Sequence, residues 1–240
     1  MVHRLLLLLL SVALAAGITF PTPISLVSAD GTHLAAAWGA PAKATRGVLF
    51  VHQAGRTKED WSFLADKLYH DGNVVLTVDL RGHGANRTAT PAELTEADYQ
   101  AMQTDVTAAL AHLEAKGVTR VCIIGAELGA NLAINAGVAD PKVVSVVLLS
   151  PGMEIKGVIA SDAVQRFGAR PVALVAALDD RYGAHSAQTM DATALGEHTL
   201  KLLDSGGKGV KMLNADPTLE GWIVGWVGQH WEAPKAAPKP

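Results

Sequence analysis

Short apolar runs alternate along the chain with longer segments in which apolar positions recur every three or four residues. Runs of the first kind predict strands inside a sheet, and the longer period predicts helices that cover it. Eight strands are predicted, at 24–27, 33–38, 47–51, 73–78, 120–124, 143–149, 172–177 and 198–203. The last six are apolar enough to be buried on both faces of the sheet.

Helices are predicted between these strands, at 58–70, 95–116, 128–139, 161–167, 183–194 and 217–231. The second is the clearest, because its apolar residues share one face and Thr95 with Asp98 resembles a capping box. Asp30-Gly31 predicts a hairpin turn between the first two strands. This alternation favours the α/β class, as a doubly wound, mostly parallel eight-stranded sheet. The gap between Pro151 and Pro171 is too short for a sizeable lid domain.

The two ends of the chain differ in composition from its middle. Residues 1–16 contain His3 and Arg4, then an apolar run of leucines, then small residues, which is the order of parts in a secretory signal peptide. The run is shorter than the roughly 20 residues that span a bilayer, so no transmembrane anchor is expected after cleavage. We predict a protein secreted or delivered to the periplasm, a folded domain over 24–231, and a disordered Pro/Ala/Lys tail over 232–240.

Charge and cysteine content exclude several classes of function. A formal net charge of -3, without a Lys/Arg cluster interleaved with aromatics, gives no reason to bind nucleic acid. Cys122 is the single cysteine and lies in an apolar strand, which predicts a core position and no internal disulfide. No Cys/His group has the spacing of metal ligands, so neither a metal nor another cofactor is predicted.

A glycine-flanked turn follows the fifth predicted strand. Gly125-Ala126-Glu127-Leu128-Gly129 leads from that buried strand into a helix, and small residues at its two ends suit a tight turn in which strand and helix pack closely. The segment resembles the G-x-S-x-G nucleophile elbow of the α/β-hydrolase superfamily, with members such as dienelactone hydrolases and serine esterases. The spacing of the motif is intact, but Glu127 stands where the family has serine.

Three further segments support the resemblance, in the order the family has them. Phe50-Val51-His52-Gln53-Ala54-Gly55 resembles the H-G-x-G oxyanion loop, and Asp79-Leu80-Arg81-Gly82-His83-Gly84 resembles the D-x-R-G-x-G-x-S signature, with Asn86 at its serine. The strand at 172–177 leads to Asp179-Asp180, which resembles the segment that delivers the catalytic acid. The resemblance therefore implies Asp180 as the acid, with Asp179 as the second choice.

The family's catalytic histidine has no counterpart in this chain. The matching segment is Ser205-Gly206-Gly207-Lys208-Gly209, in which Lys208 takes the place of the histidine. By the resemblance, the oxyanion donors are the backbone N–H groups of Leu128 and of the Gln53/Ala54 segment. We expect the Glu127 carboxylate to occupy that oxyanion hole. Glu127, Lys208 and Asp180 are expected to form a charge-compensated cluster, with the Glu127 carboxylate within about 4 Å of the Lys208 ammonium or bridged to it through Asp180.

Two hypotheses of an active enzyme remain beside the hypothesis of an inactive protein. Glu127 could act as a carboxylate nucleophile, as Asp does in related dehalogenases and epoxide hydrolases, although those enzymes also need a histidine to activate water. Ser150, directly after a core strand, could form a second nucleophile elbow, although a serine in the turn at the end of that strand is the simpler interpretation. The histidines that could substitute as base each have a structural alternative: His52 and His83 in turns, His185 on a surface helix and His198 at a strand start.

The favoured interpretation is a catalytically degenerate hydrolase with a binding or architectural role. Its partner would be a small-molecule or protein ligand that the sequence does not identify. The alternative is a hydrolase of esters or related small substrates, which uses Glu127 or a non-standard site.

Overall fold

The computed structural model describes residues 17–86 and 93–232, and they form one sheet with helices on both faces. The eight strands run in the order β1-β2-β4-β3-β5-β6-β9-β10. Only β2 is antiparallel to its neighbours, and all other pairs are parallel. The predicted fold class is therefore confirmed. The strands are β1 Ile18–Val27, β2 His33–Ala40, β3 Arg46–Val51, β4 Val74–Val78, β5 Arg120–Ala126, β6 Val143–Leu149, β9 Val172–Ala177 and β10 His198–Leu203.

The first two strands form the predicted hairpin. Gly31 takes a φ of 84° in the turn, and the Thr32 N–H donates to the Asp30 carboxylate. The strand before this turn begins at Ile18, earlier than predicted, and places Phe20 in the core. It is an edge strand, and Pro21 and Pro23 reduce its capacity to pair with another chain.

Helices cover the sheet on both faces and create two apolar cores. One core receives residues from α2, α3, α4 and α5, and the other from α1, α6 and α7. The predicted capping box is present at the start of α2, where Thr95 and Asp98 each accept from the other's backbone N–H. The bounds are α1 Ser62–His70, α2 Glu96–Ala115, α3 Leu128–Ala139, α4 Ala163–Phe167, α5 Arg181–Asp191, α6 Lys211–Ala215 and α7 Leu219–Gln229.

Two elements differ from the sequence prediction. The last strand, β10, is half-buried rather than buried on both faces, because it lies at the sheet edge and pairs only with β9. The helix α6 is absent from the prediction, since five residues between a glycine-rich loop and a turn carry little periodicity. Between β6 and β9 the chain forms only a two-stranded hairpin, β7 Glu154–Ile155 with β8 Val158–Ile159, followed by α4.

The predicted ends of the chain lie largely outside the described residues. This applies to the predicted signal peptide at 1–16 and to the part of the predicted tail beyond Glu232. Glu232, the first residue of that tail, pairs with Arg120. Within the described ranges, every helix is too short or too polar to cross a bilayer.

Candidate functional site

Glu127 lies at a sharp turn between β5 and α3, where the sequence places it. Its φ of 51° and ψ of -113° are unusual for a residue with a side chain, and such strain persists only where the surroundings enforce it. The turn is enforced from both ends by close packing. A Cβ on Gly125 would lie 2.2 Å from the Gly129 carbonyl oxygen, and one on Gly129 would lie 2.3 Å from that of Val51. The two glycines are therefore required by the turn itself.

The Glu127 carboxylate is buried and its Oε2 is bound by two backbone amides. Leu128 N–H donates to Oε2 at 3.0 Å and Ala54 N–H donates to the same oxygen at 3.2 Å. These are amides that the family resemblance identifies as oxyanion donors. The side chain of Glu127 is 11% exposed, so little water reaches it. The expected placement of the carboxylate in this hole is present in the structure.

Lys208 reaches the other carboxylate oxygen. Its Nζ lies 2.8 Å from Glu127 Oε1, well within the distance expected for the pair, and the lysine side chain is 41% exposed. The contact connects the turn after β5 with the loop after β10. The ammonium is partly screened by water whereas the carboxylate is buried, and the pair fixes the positions and the charges of the two groups.

The loop that carries Lys208 is held by side chains from three other loops. Asp179 accepts from the Gly206 and Gly207 amides. Ser150 Oγ accepts from the Gly209 amide, and Gln53 Oε1 accepts from the Val210 amide. The Gly206 amide, followed by Gly207, lowers the pKa of Asp179. Since the amides on both sides of residue 208 are bound, its backbone position is well determined.

The sequence did not identify these anchoring residues in that role. Ser150 ends its strand in a turn, as expected, but its hydroxyl is buried rather than exposed. Gln53 contributes its side chain to the loop, whereas Ala54 supplies the amide to Glu127. A glycine-rich loop indicates backbone amides that need acceptors, but sequence does not say which distant side chains supply them.

Asp180 does not join the cluster, so this part of the prediction is wrong. In the described ranges no hydrogen bond or ion pair connects it to Glu127 or Lys208. One carboxylate oxygen caps α5 by accepting from Gly183 N–H at 3.3 Å, and Oδ2 is shielded from solvent without a hydrogen-bond partner there. The physical reason is that Lys208 already has a buried anion as its partner, and Asp180 satisfies the helix N-terminus instead.

The candidate substitute bases have the structural roles that their positions suggest. The His52 ring binds the Gln53 carbonyl through Nδ1 and accepts from Leu80 N–H at Nε2, which assigns its proton to Nδ1. His83 Nδ1 binds the Arg81 carbonyl. His185 and His198 are exposed, on α5 and at the start of β10. None of the four is paired with Glu127 in the described part of the chain.

The buried His52 predicts a loss of stability in mild acid. Burial lowers its pKa from 6.5 to about 4. Between these two pH values His52 is therefore protonated in the unfolded chain and neutral in the folded chain. Stability therefore falls as pH decreases through this window, by about 2 kcal/mol between about pH 7 and about pH 5. Urea unfolding at the two pH values measures it. His52→Gln, which does not titrate, should show a smaller decrease, and an equal decrease would assign the effect elsewhere.

The signature after β4 is also structural in this chain. Asp79 is buried and accepts from Lys58 and from the Ala85 amide. Asn86, at the position of the family's serine, donates to the Asp79 carbonyl and accepts from Ala35 N–H. Among the residues described, no group of three or more His, Cys, Asp or Glu side chains is arranged to hold a metal ion.

Comparison with known proteins agrees with this geometry. Residues 48–235 match the model of the alpha/beta hydrolase family. Similar solved structures include an esterase of Pyrococcus furiosus, 14% identical with a TM-score of 0.71 over 88% of this chain and 91% of that one. A dienelactone hydrolase of Anabaena variabilis is 18% identical, with a TM-score of 0.71 over 88% and 99% of the two chains. An esterase of Exiguobacterium antarcticum is 14% identical, with a TM-score of 0.68 over 87% and 100%. No protein of curated function matches the sequence.

Proposed function

This chain belongs to the alpha/beta hydrolase family, and from that premise we propose that it is an exported, non-hydrolytic member that acts by binding a ligand or as an architectural element. One observation carries the proposal. The Glu127 carboxylate is bound by the amides of Leu128 and Ala54 and by the ammonium of Lys208, so the protein's own side chain holds the place of a substrate oxyanion.

Ester hydrolysis on this fold needs an empty oxyanion hole, a nucleophile and a base. A substrate carbonyl oxygen that entered the hole would meet the Oε2 of Glu127, which repels it sterically and, as it gains negative charge, electrostatically. Lysine in its ammonium form has three donors and no lone pair, so Lys208 in this pair cannot accept a proton from a nucleophile or a water molecule. The occupied oxyanion hole and the lack of a base at position 208 both act against ester hydrolysis.

The carboxylate-nucleophile alternative fits the arrangement less well. A nucleophilic carboxylate needs an oxygen directed at the substrate, whereas both Glu127 oxygens already accept hydrogen bonds. It also needs a base to activate the water that cleaves the ester intermediate. His52 precedes the Gln53/Ala54 segment that contributes an amide to the site, but both of its ring nitrogens are hydrogen-bonded to backbone groups.

The purified mature protein is expected not to hydrolyse short-chain p-nitrophenyl esters and not to react with a fluorophosphonate probe. Glu127→Ala is the matched control, because it empties the hole without adding a nucleophile. Turnover that Glu127→Ala abolishes would contradict the proposal and support the carboxylate enzyme. Turnover that survives it would locate catalysis at another site, with Ser150 as the first candidate.

Export and ligand binding are tested separately from catalysis. Export rests on the sequence of residues 1–16, and N-terminal sequencing of protein recovered from the periplasm or the medium would find a start near residue 17. Recovery of the uncleaved chain from the cytoplasm would contradict it. Mass spectrometry of small molecules released from gently purified protein tests the binding role, since a tight ligand survives purification.

A further inference from the structure

The Glu127–Lys208 pair places an amine beside an acyl carbon in a site whose amides bind the acyl oxygen. Lys208 Nζ lies 2.8 Å from Oε1, while Oε2 accepts from Leu128 and Ala54. Two donors on one oxygen are what stabilises the tetrahedral intermediate of acyl transfer. In this chain the acyl group they address is the protein's own carboxylate, and the nucleophile opposite it is the protein's own amine.

We propose that Glu127 and Lys208 condense into an intramolecular isopeptide bond, which makes this pair a self-modification site. One ammonium proton first passes to Oε1, with which Nζ is already hydrogen-bonded, and this frees the lone pair of the amine. Lys208 Nζ then forms a bond to Glu127 Cδ, and the bond from Cδ to Oε1 breaks. Two of the three ammonium protons leave with Oε1 as water, and the third remains as the amide N–H. The positive and negative charges of the pair cancel, so the step needs no oxidant, reductant or further reactant.

The two partners differ in mobility in the way the reaction requires. The Glu127 carboxylate is held by two amides and by the strained turn, which keeps Cδ and Oε2 in place. Lys208 contacts Oε1 in the ion pair and must rise over the carboxylate plane to attack Cδ. Its side chain is 41% exposed and has room for that rotation, while the bound amides on both sides of residue 208 keep it close. Once Nζ is aligned over Cδ, intramolecular positioning can reach effective molarities of about 10⁵ M.

An internal comparison is present in the same chain. Lys142 Nζ lies 2.8 Å from Glu114 Oε1, the same distance as in the proposed site. Both of those side chains are more than a third exposed, and no backbone amide in the described ranges donates to the Glu114 carboxylate. Proximity alone is therefore shared by the two pairs, whereas the amide donors on the acyl oxygen belong to the Glu127 site.

The test is peptide mapping of the purified full-length protein after denaturation and proteolysis. We expect most chains to yield one linked species that joins the peptides of Glu127 and Lys208, lighter than their sum by one water. Lys208→Arg should give the two peptides separately. Glu127→Gln should give the same linked species, with ammonia rather than water lost from the whole chain, because an amide is also an acyl donor.

Separate recovery of the Glu127 and Lys208 peptides from the wild-type protein would overturn the inference. A linked Glu114–Lys142 species of equal abundance would overturn the role assigned to the Leu128 and Ala54 amides, since proximity would then suffice. The inference rests on the proposed function only in that Glu127 does not turn over substrate as a nucleophile. The two fail distinguishably: unlinked, inactive protein contradicts the isopeptide alone, and Glu127-dependent ester turnover contradicts the proposed function.

Discussion

Replacing Glu127 by serine and Lys208 by histidine together is expected to produce esterase activity. The double variant vacates the hole formed by the Leu128 and Ala54 amides and places a hydroxyl on the strained turn. The histidine would stand on a backbone whose neighbouring amides are bound by Asp179, Ser150 and Gln53. A positioned general base contributes about 10² to 10⁴ in rate, and we expect a gain of at least the lower figure over either single variant. Initial rates with p-nitrophenyl acetate measure it.

Asp180 stands where the family resemblance places the catalytic acid, so we expect it to affect how well the new base works. Its Oδ2 has no hydrogen-bond partner among the described residues, and we expect it to accept from an imidazole introduced at position 208 and to orient that ring. Adding Asp180→Asn to the double variant should therefore reduce the gained activity. The matched background control is Glu127→Ala with Lys208→Ala, which empties the hole without supplying nucleophile or base. A double variant that folds and stays at this background would show that the substrate pocket, and not only the two residues, has been lost.

Gly129→Ala is expected to destabilise the fold severely, by about 3 kcal/mol or more. The added Cβ would lie 2.3 Å from the Val51 carbonyl oxygen and 2.6 Å from that of His52, both backbone atoms of the central sheet region. Neither can move without displacing β3 or the loop that supplies the Ala54 amide. Urea unfolding followed by tryptophan fluorescence measures the loss, and insoluble expression of this variant alone would agree with it.

Gly221→Ala provides the control with the opposite sign. This glycine is exposed in the α7 helix, and a Cβ added to it would have no heavy atom of another element within 4 Å. Alanine there should stabilise the protein by about 0.5 to 1 kcal/mol, because it reduces the backbone freedom of the unfolded chain and favours the helix. If Gly129→Ala unfolded at the wild-type urea concentration, the close strand-to-helix packing described for the turn would be wrong.

The predictions for the double variant and for Gly129→Ala together distinguish the residues that the turn needs for folding from those that ester hydrolysis would need. Gly125 and Gly129 are required by contacts with backbone atoms, which exist whether or not residue 127 is a nucleophile. The motif's glycines can therefore persist after its serine is lost, since folding alone requires them. For this reason the intact glycine spacing is evidence for the fold, and only the residue between the glycines is evidence about the chemistry.

Local patterns in the sequence are sufficient to locate the main elements and the turn. Apolar runs and helical periodicity locate eight strands and the main helices, Asp30-Gly31 locates the hairpin, and the glycine spacing locates Glu127 between strand and helix. These features depend on residues within a few positions of one another, where side-chain period and backbone preference act directly. The residue types at the two positions that the resemblance compares with serine and histidine, Glu127 and Lys208, are equally readable from the sequence.

Burial at the sheet edge and the choice of partners follow only from the assembled fold. β10 carries apolar residues like the central strands, and only the strand order shows that one of its edges is unpaired. Lys208 and Glu127 are separated by 81 positions, and they meet because the loop after β10 is held against three others, while Asp180 caps α5. The directions of the side chains and the competing hydrogen bonds decide which charged groups form an ion pair. Both depend on tertiary contacts that no local sequence pattern encodes.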